Sequence, residues 1–172
     1  MVINKIQNKI KKIEIILTDV DGVLTDGGRY YSEKGELLKK FHVRDGMGIN
    51  ILLRNKIKTI IVTKENSKIT KKWAKDMNVS KVISGSLKKE NELPKICEIF
   101  KISPFQIAYI GDDVNDIGLL KKVGFSATTN DADNMIKEHV DYVCSKDGGK
   151  GAFREFADYI LKIHFGKNIK WY

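Results

Sequence analysis

The stretch from Ile13 to Gly28 constrains this chain more than any other; it reads I-E-I-I-L-T-D-V-D-G-V-L-T-D-G-G. A β-rich run, Ile13 to Leu17, feeds directly into Asp19, Asp21 and Gly22. Such a run suits a buried strand that delivers carboxylates to the edge of a sheet. In open α/β sheets that edge is where ligands bind. Two carboxylates held side by side are costly unless a proton or cation sits between them, and an all-oxygen ligand set favours magnesium. An acidic turn after a strand is the bland alternative, because Asp and Gly are ordinary turn residues.

The rest of the chain alternates strands with helices. Strand patterns fall at Ile57 to Val62, Val82-Ile83, Gln106 to Ile110, Phe125 to Ala127 and Tyr142-Val143. Between them, Asp45 is placed to cap a helix reaching Arg54, with Met47, Ile51 and Leu52 on its apolar side and Asn55 as its stop. Ser67 can cap a helix through Lys75. Pro94 is tolerable only near the start of a helix, which then runs to about Phe100. Helices near Asp116 to Lys122 and Ala132 to Glu138 follow, and a last one spans Ala152 to about Ile163. This order predicts an α/β fold with a doubly wound parallel sheet. One irregular piece interrupts it: Gly28 to Tyr31 and Glu36 to His42 flank a polar, glycine-containing turn and read as a β-hairpin.

At 172 residues the chain is long enough for one domain with a proper core, and a single domain over 1–172 is expected. The net charge of +9 raises nucleic acid as a partner, but only four of the 31 basic residues are arginines and the lysines are scattered along the whole length. That pattern predicts a solvated surface that steers anionic substrates, and no nucleic-acid partner. Cys97 and Cys144 stand apart from any metal-spaced partner, so neither zinc nor a disulfide framework is expected, and a reduced cytoplasm is the simplest setting. Near the N-terminus, Lys5, Lys9, Lys11 and Lys12 interleave with Ile3, Ile6 and Ile10, which predicts a short amphipathic helix and no signal peptide or membrane span.

Two further stretches sit at predicted strand ends. Thr63 ends the second strand, where a hydroxyl and nearby backbone N–H groups can hold a phosphoryl oxygen, although threonines end many strands. Asp112 and Asp116, in G-D-D-V-N-D, follow the fourth strand. One carboxylate there can bind a metal and the other can orient it, the alternative being an acidic N-cap for the next helix.

Read together, D-V-D-G-V-L-T-D-G and these later motifs resemble the haloacid dehalogenase superfamily of phosphohydrolases, and within it the small, capless branch acting on phosphorylated 3-deoxy-2-keto sugar acids. The resemblance covers roughly Ile13 to Leu161. It implies a Rossmann-like core in which the hairpin at about 28–42 replaces a cap domain and packs with its copies into a homotetramer. It further implies that Asp19 is the nucleophile that forms an aspartyl-phosphate, and that Asp21 is the general acid and base. Lys89, four residues after Gly85, would neutralise the phosphoryl group and the nucleophile; the alternative for it, as for its neighbour Lys88, is a solvated lysine. Magnesium would be held by Asp19, the Asp21 backbone carbonyl and Asp112, with Asp113 and Asp116 behind them.

Two more stretches of this branch are Val43-Arg44-Asp45-Gly46 and Gly148 to Glu155. They make Arg44, Gly149 and Arg154 candidate substrate contacts: glycine for close backbone approach, arginine for gripping a carboxylate by two bonds. A helix-surface ion pair is the alternative for Arg154. The second motif departs from the eight-carbon pattern. Enzymes for KDO 8-phosphate typically read T-G-R with a second arginine eight residues on, whereas this chain has Thr63-Lys64-Glu65 and Trp73. Relatives acting on sialic-type nine-carbon acids carry glutamate at the Glu65 position, so the sequence leans towards a nonulosonate 9-phosphate, with KDO 8-phosphate as the alternative. The lysine expected further along that helix falls at Asp76, next to Lys75. Two readings from other classes are a non-catalytic phosphatase-like partner of a sugar-nucleotide synthetase and a receiver-like phosphoacceptor. The intact set Asp19, Asp21, Thr63, Lys89 and Asp112 argues against the first, and a turnover-promoting acid at Asp21 against the second. The terminal stretch 166–172, ending in Trp171 and Tyr172, is open between a disordered end and a tail that reaches a neighbouring subunit.

Overall fold

The computed structural model describes residues 2–172, with side chains from Lys5 onward. Its centre is β1 (Ile15–Thr18), four fully buried residues that pair in parallel with β4 (Lys58–Thr63) on one side and β6 (Ile107–Ile110) on the other. The sheet is completed by β5 (Lys81–Ser84), β7 (Phe125–Thr128) and β8 (Tyr142–Val143), in the order β5-β4-β1-β6-β7-β8. The chain therefore winds outward from β1 in one direction and then returns to wind the other way. The reversal beside β1 is the crevice where such sheets bind ligands.

Successive residues of β1 point to opposite faces, which is why an unbroken apolar run was needed there. Ile16 joins a core with α2 (Val43–Arg54) and α7 (Ala152–Phe165), through Ile49, Leu52, Phe153 and Phe156. Ile15 and Leu17 face the other core, with Leu93 and Ile96 of α4 (Leu93–Phe100), Leu119 and Leu120 of α5 (Ile117–Leu120) and Ile136 of α6 (Asn134–Lys137). The amphipathic lead-in is α1 (Val2–Ile10), with Ile6 and Ile10 against the first core. Ile3 was expected on the same side; its side chain lies outside the described residues. The remaining helix, α3 (Lys68–Asp76), is capped by Ser67 as expected. Pro94 sits in the first turn of α4, where its missing N–H costs nothing.

Two local expectations are corrected. The cap of α2 is His42, whose Nδ1 accepts from Arg44 N at 3.3 Å; Asp45 lies inside the first turn, fully buried, and its Oδ1 accepts from Arg154 N at 2.8 Å. A cap precedes the first helical residue, and the helix already begins at Val43, two residues before Asp45. Met47 is exposed, because α2 instead turns Gly46 and Gly48 inward: a Cβ on Gly48 would stand 3.2 Å from Arg154 Cδ, and one on Gly46 would stand 2.4 Å from Met77 Sδ. Small residues there let α7 and Met77 come close.

The hairpin is present but shorter than read, with β2 (Tyr30–Ser32) and β3 (Gly35–Leu38) antiparallel and separate from the main sheet. Phe41 lies beyond it and stacks on Trp73, ring centroids 4.3 Å apart. The C-terminal stretch is pinned by its backbone: Lys170 N donates to Asn55 Oδ1 (2.9 Å), Asn55 Nδ2 donates to Lys170 O (3.1 Å) and Arg54 Nη1 donates to Trp171 O (2.9 Å). No helix among the described residues is long and apolar enough to cross a membrane.

Candidate active site

The C-terminal ends of β1, β4 and β6 open into a cleft of about 320 Å³ lined by Asp19, Asp21, Arg29, Thr63, Glu65 and Asp112, among others. Asp19 continues the β1 backbone one step past the strand, its N–H donating to Ile110 O at 3.0 Å, so the sheet itself fixes where its carboxylate points. The residue is 5 % exposed. Its Oδ2 lies 2.8 Å from Lys89 Nζ, and its buried Oδ1 has no hydrogen-bond partner.

Lys89 enters from the turn before α4 and is fully buried, unlike its exposed neighbour Lys88. Its ammonium is shared with Asp116 Oδ1 at 2.6 Å. Asp116 is buried too and is saturated: it also accepts from the Tyr109 hydroxyl, from Asp112 N (3.0 Å) and from Asp113 N (3.2 Å). It thus organises the loop after β6 and holds the lysine in place. Burial pushes the Asp19 carboxyl up to about 6 against the opposing pull of Lys89, and pushes Asp112, which also faces Asp19 and Asp116, up to about 8. Lys89 suffers the same burial, yet its two carboxylate neighbours raise it above the ordinary lysine value.

Carboxylate oxygens of Asp19, Asp112 and Asp116 all come within 4.8 Å of one another. Because Asp116 is already satisfied, the oxygens left for a cation are those of Asp19 and Asp112, whose Oδ1 atoms are both buried and unpartnered. Hard, anionic oxygens without donors fit magnesium. Gly22 makes room for this pair: it sits at φ +93°, and a Cβ there would fall 1.9 Å from Asp112 Oδ2.

Asp21, on the turn after Asp19, is held from the hairpin side. Lys39, whose side chain is completely buried, pairs with Asp21 Oδ1 and, at 3.3 Å, with Glu36 Oε1; Ser67 Oγ donates to Glu36 Oε2 at 2.6 Å. Arg29 Nη2 stands 3.6 Å from Asp21 Oδ2 and 3.1 Å from Glu65 Oε1. Neither Arg29 nor Lys39 was singled out from the sequence. Both fall within the segments read as the hairpin, and only the register found in the structure, with Tyr30 opposite Leu38, brings the two cations together one step beyond the paired residues.

Thr63 closes β4 at 2 % exposure and lines the cleft, its Oγ1 accepting from Glu65 N at 3.3 Å. Asp113 stands at the rim, where its carboxylate caps its own turn by accepting from Val114 N at 2.7 Å. The other expected substrate contacts are not brought to this cleft. Arg44 is exposed on α2 and does not line it. Arg154 donates from Nε to Asp158 at 2.7 Å along α7, the ion-pair alternative.

Gly149 approaches the chain's own backbone. Its N–H donates to Val23 O at 2.9 Å, φ is +64°, and a Cβ would sit 2.4 Å from Asp26 N. The glycine loop thereby buttresses the turn that carries Asp21. Gly149→Ala is expected to lower stability by about 2–4 kcal/mol, through left-handed strain and backbone overlap together, as read from the denaturant midpoint.

Comparison with known proteins agrees with this geometry. A family profile for haloacid dehalogenase-like hydrolases matches residues 49–154. The chain is 40 % identical over 156 residues to the 3-deoxy-D-manno-octulosonate 8-phosphate phosphatase KdsC of Haemophilus influenzae, covering 91 % of this chain and 87 % of that one. The cobalt-bound structure of the deoxy-D-mannose-octulosonate 8-phosphate phosphatase from Haemophilus influenzae superposes with a TM-score of 0.89 at 39 % identity, covering 93 % of each chain. The Moraxella catarrhalis phosphatase, crystallised with magnesium, phosphate and KDO, gives a TM-score of 0.89 at 34 % identity over 93 % of this chain and 92 % of that one. With a profile match over more than half of its length and a relative 40 % identical across 91 % of it, this chain belongs to the haloacid dehalogenase-like hydrolases, as a phosphoric monoester hydrolase.

Proposed function

We propose that the chain is a magnesium-dependent phosphatase that releases phosphate from KDO 8-phosphate. The observation that carries the reading is the Asp19–Lys89–Asp116 arrangement beside the unpartnered oxygens of Asp19 and Asp112. The relatives named for this substrate support the eight-carbon acid over the nine-carbon one towards which Glu65 leans. Asp19 attacks phosphorus as the bond to the sugar oxygen breaks, and Asp21 gives that oxygen a proton. Asp21 then takes a proton from the water that attacks the aspartyl-phosphate, so inorganic phosphate leaves and Asp19 is restored. Lys89 stays beside the nucleophile throughout and offsets the charge that gathers on the phosphoryl oxygens. Asp19, Asp112 and the Asp21 backbone carbonyl would hold magnesium, which supplies further positive charge to those oxygens when bound.

The test is phosphate release with magnesium from KDO 8-phosphate and from a sialic-type 9-phosphate, with Asp19→Asn as the blank. A preference of at least about tenfold in kcat/KM for the eight-carbon ester, roughly 1.4 kcal/mol, supports the reading. The reverse preference restores the nine-carbon substrate, and blank-level release of both favours a non-catalytic partner.

The raised carboxyls predict how magnesium and pH act together. A carboxyl raised on folding contributes stability below its unfolded value and loses it as pH climbs through the folded one. Without metal, Asp112 and Asp19 should therefore lower Tm progressively from about pH 4 to about pH 8. Magnesium needs both groups ionised, so the rise in Tm that it produces should be larger at pH 8 than at pH 6. Scanning fluorimetry with and without a chelator reads this; an equal rise at both pH values, or one kept by Asp112→Asn, would count against the site.

Assembly as a homotetramer through the hairpin is part of the same proposal. Tyr30, Tyr31, Leu37 and Leu38 are each more than half exposed on this two-stranded ribbon, an apolar patch that a second copy could cover. Leu38→Asp is expected to shift the mass measured by light scattering towards monomer. Two free cysteines fit a reducing, cytoplasmic setting.

A further inference from the structure

We propose that Arg29 binds the carboxylate of the substrate, and that Glu65 occupies this place until the substrate arrives. The inference rests on the reading of the substrate as a phosphorylated sugar acid. Such a molecule brings two anionic groups into a cleft whose lining is already rich in carboxylates: Asp19, Asp21, Glu65, Asp112 and Asp113. The phosphoryl end has Lys89. The carboxylate end needs a cation of its own, and a guanidinium meets it best, with two parallel N–H donors.

The chain has four arginines. Arg54 holds the C-terminal backbone, Arg154 holds Asp158, and Arg44 lies outside the cleft. Arg29 lines it, with a third of its side chain exposed; Lys64 lines it too, but as an exposed point charge without the two parallel donors of a guanidinium. It is already engaged by a carboxylate, that of Glu65, at 3.1 Å. Glu65 comes from the loop after β4 and its side chain is 39 % exposed, so it can swing away into water without a burial penalty. Exchanging one carboxylate for another keeps the guanidinium paired at every stage. Asp21 Oδ2 lies 3.6 Å from the same Nη2, so the arginine sets the distance between the acid group of the substrate and the proton donor. In this arrangement Glu65 tunes affinity by competition, and Arg29 selects acids over neutral sugars.

The experiment compares kcat/KM for KDO 8-phosphate, a sialic-type 9-phosphate and 6-phosphogluconate with that for glucose 6-phosphate, which has no carboxylate. The parent should prefer the acids, and Arg29→Gln should shrink that preference by at least about tenfold, chiefly through KM, with Arg29→Lys recovering part of it. Glu65→Gln should lower KM for the acids more than for glucose 6-phosphate. Equal losses on all four esters in Arg29→Gln would overturn the proposal, since the arginine would then merely support Asp21; so would a parent with no preference for acids, or equal gains in Glu65→Gln. If the parent prefers acids but not the eight-carbon one, the reading of the substrate falls while the response of Arg29→Gln still decides the role of the arginine.

Discussion

Asp19→Asn should reduce kcat for phosphate release by about 10⁴-fold or more while leaving the fold in place. The loss is large because the amide cannot attack phosphorus and the neighbouring carboxylates are taken: Asp116 is saturated by four donors, Asp21 is held by Lys39, and Asp112 would be occupied in holding the metal. The fold survives because the change removes a buried charge without orphaning its partner. Lys89 keeps Asp116 at 2.6 Å, and the Asp19 N–H to Ile110 O bond is unaffected by the side chain. Circular dichroism and Tm close to the parent, with release at the level of buffer, is the expected pair of results. Residual turnover within about a hundredfold of the parent would mean that the nucleophile is elsewhere.

Lys89→Met should be the most destabilising single change at the site, although it replaces one long side chain with another of similar volume. The side chain is 1 % exposed and its ammonium lies between Asp19 and Asp116; deleting it leaves two buried carboxylates with no cation between them. Breaking a buried ion pair from one side costs about 3–5 kcal/mol. For a chain of this length that corresponds to a fall in Tm of roughly 6–20 °C. The sign of the pH dependence follows: with its cation gone Asp19 is raised further, so the deficit should deepen as pH rises from about 6 to 8. Turnover should fall in parallel by about 10²–10³-fold, as for other lost electrostatic partners of a transition state. A Tm within about 2 °C of the parent at pH 8 would show that Lys89 is not the counter-ion described.

The parts of this molecule that were readable beforehand are those dictated by local chemistry. The apolar run before Asp19 had to be a central strand because both of its faces are covered, and Pro94 had to enter its helix at the first turn. Asp112 and Asp116 were placed together because they sit on one short turn after a strand. What resisted reading was any side chain whose partner is far away in sequence. Asp45 looks like a cap until α7 offers it the N–H of Arg154, whereas the pairing of Arg154 with Asp158, four residues on, was open to the sequence as an alternative. Gly149 was expected to admit a ligand and instead admits the backbone of residues 25 and 26. Lys39 looked like one lysine among many, because nothing local says that the hairpin folds back over Asp21 and buries it.

The way the hairpin is fastened at the cleft has a consequence for solution conditions. Its inner attachment, Lys39 to Asp21 and Glu36, has a fully buried ammonium and mostly buried carboxylates, whereas its outer one, Arg29 to Glu65, is a third or more exposed on both partners. Mobile ions weaken exposed pairs as the screening length shrinks from about 8 Å at physiological ionic strength to about 3 Å in molar salt, and they reach buried pairs far less. Ionic strength should accordingly loosen the rim of the ribbon while its root stays fixed, so that moderate salt alters how readily the cleft is entered and leaves Asp21 where it was.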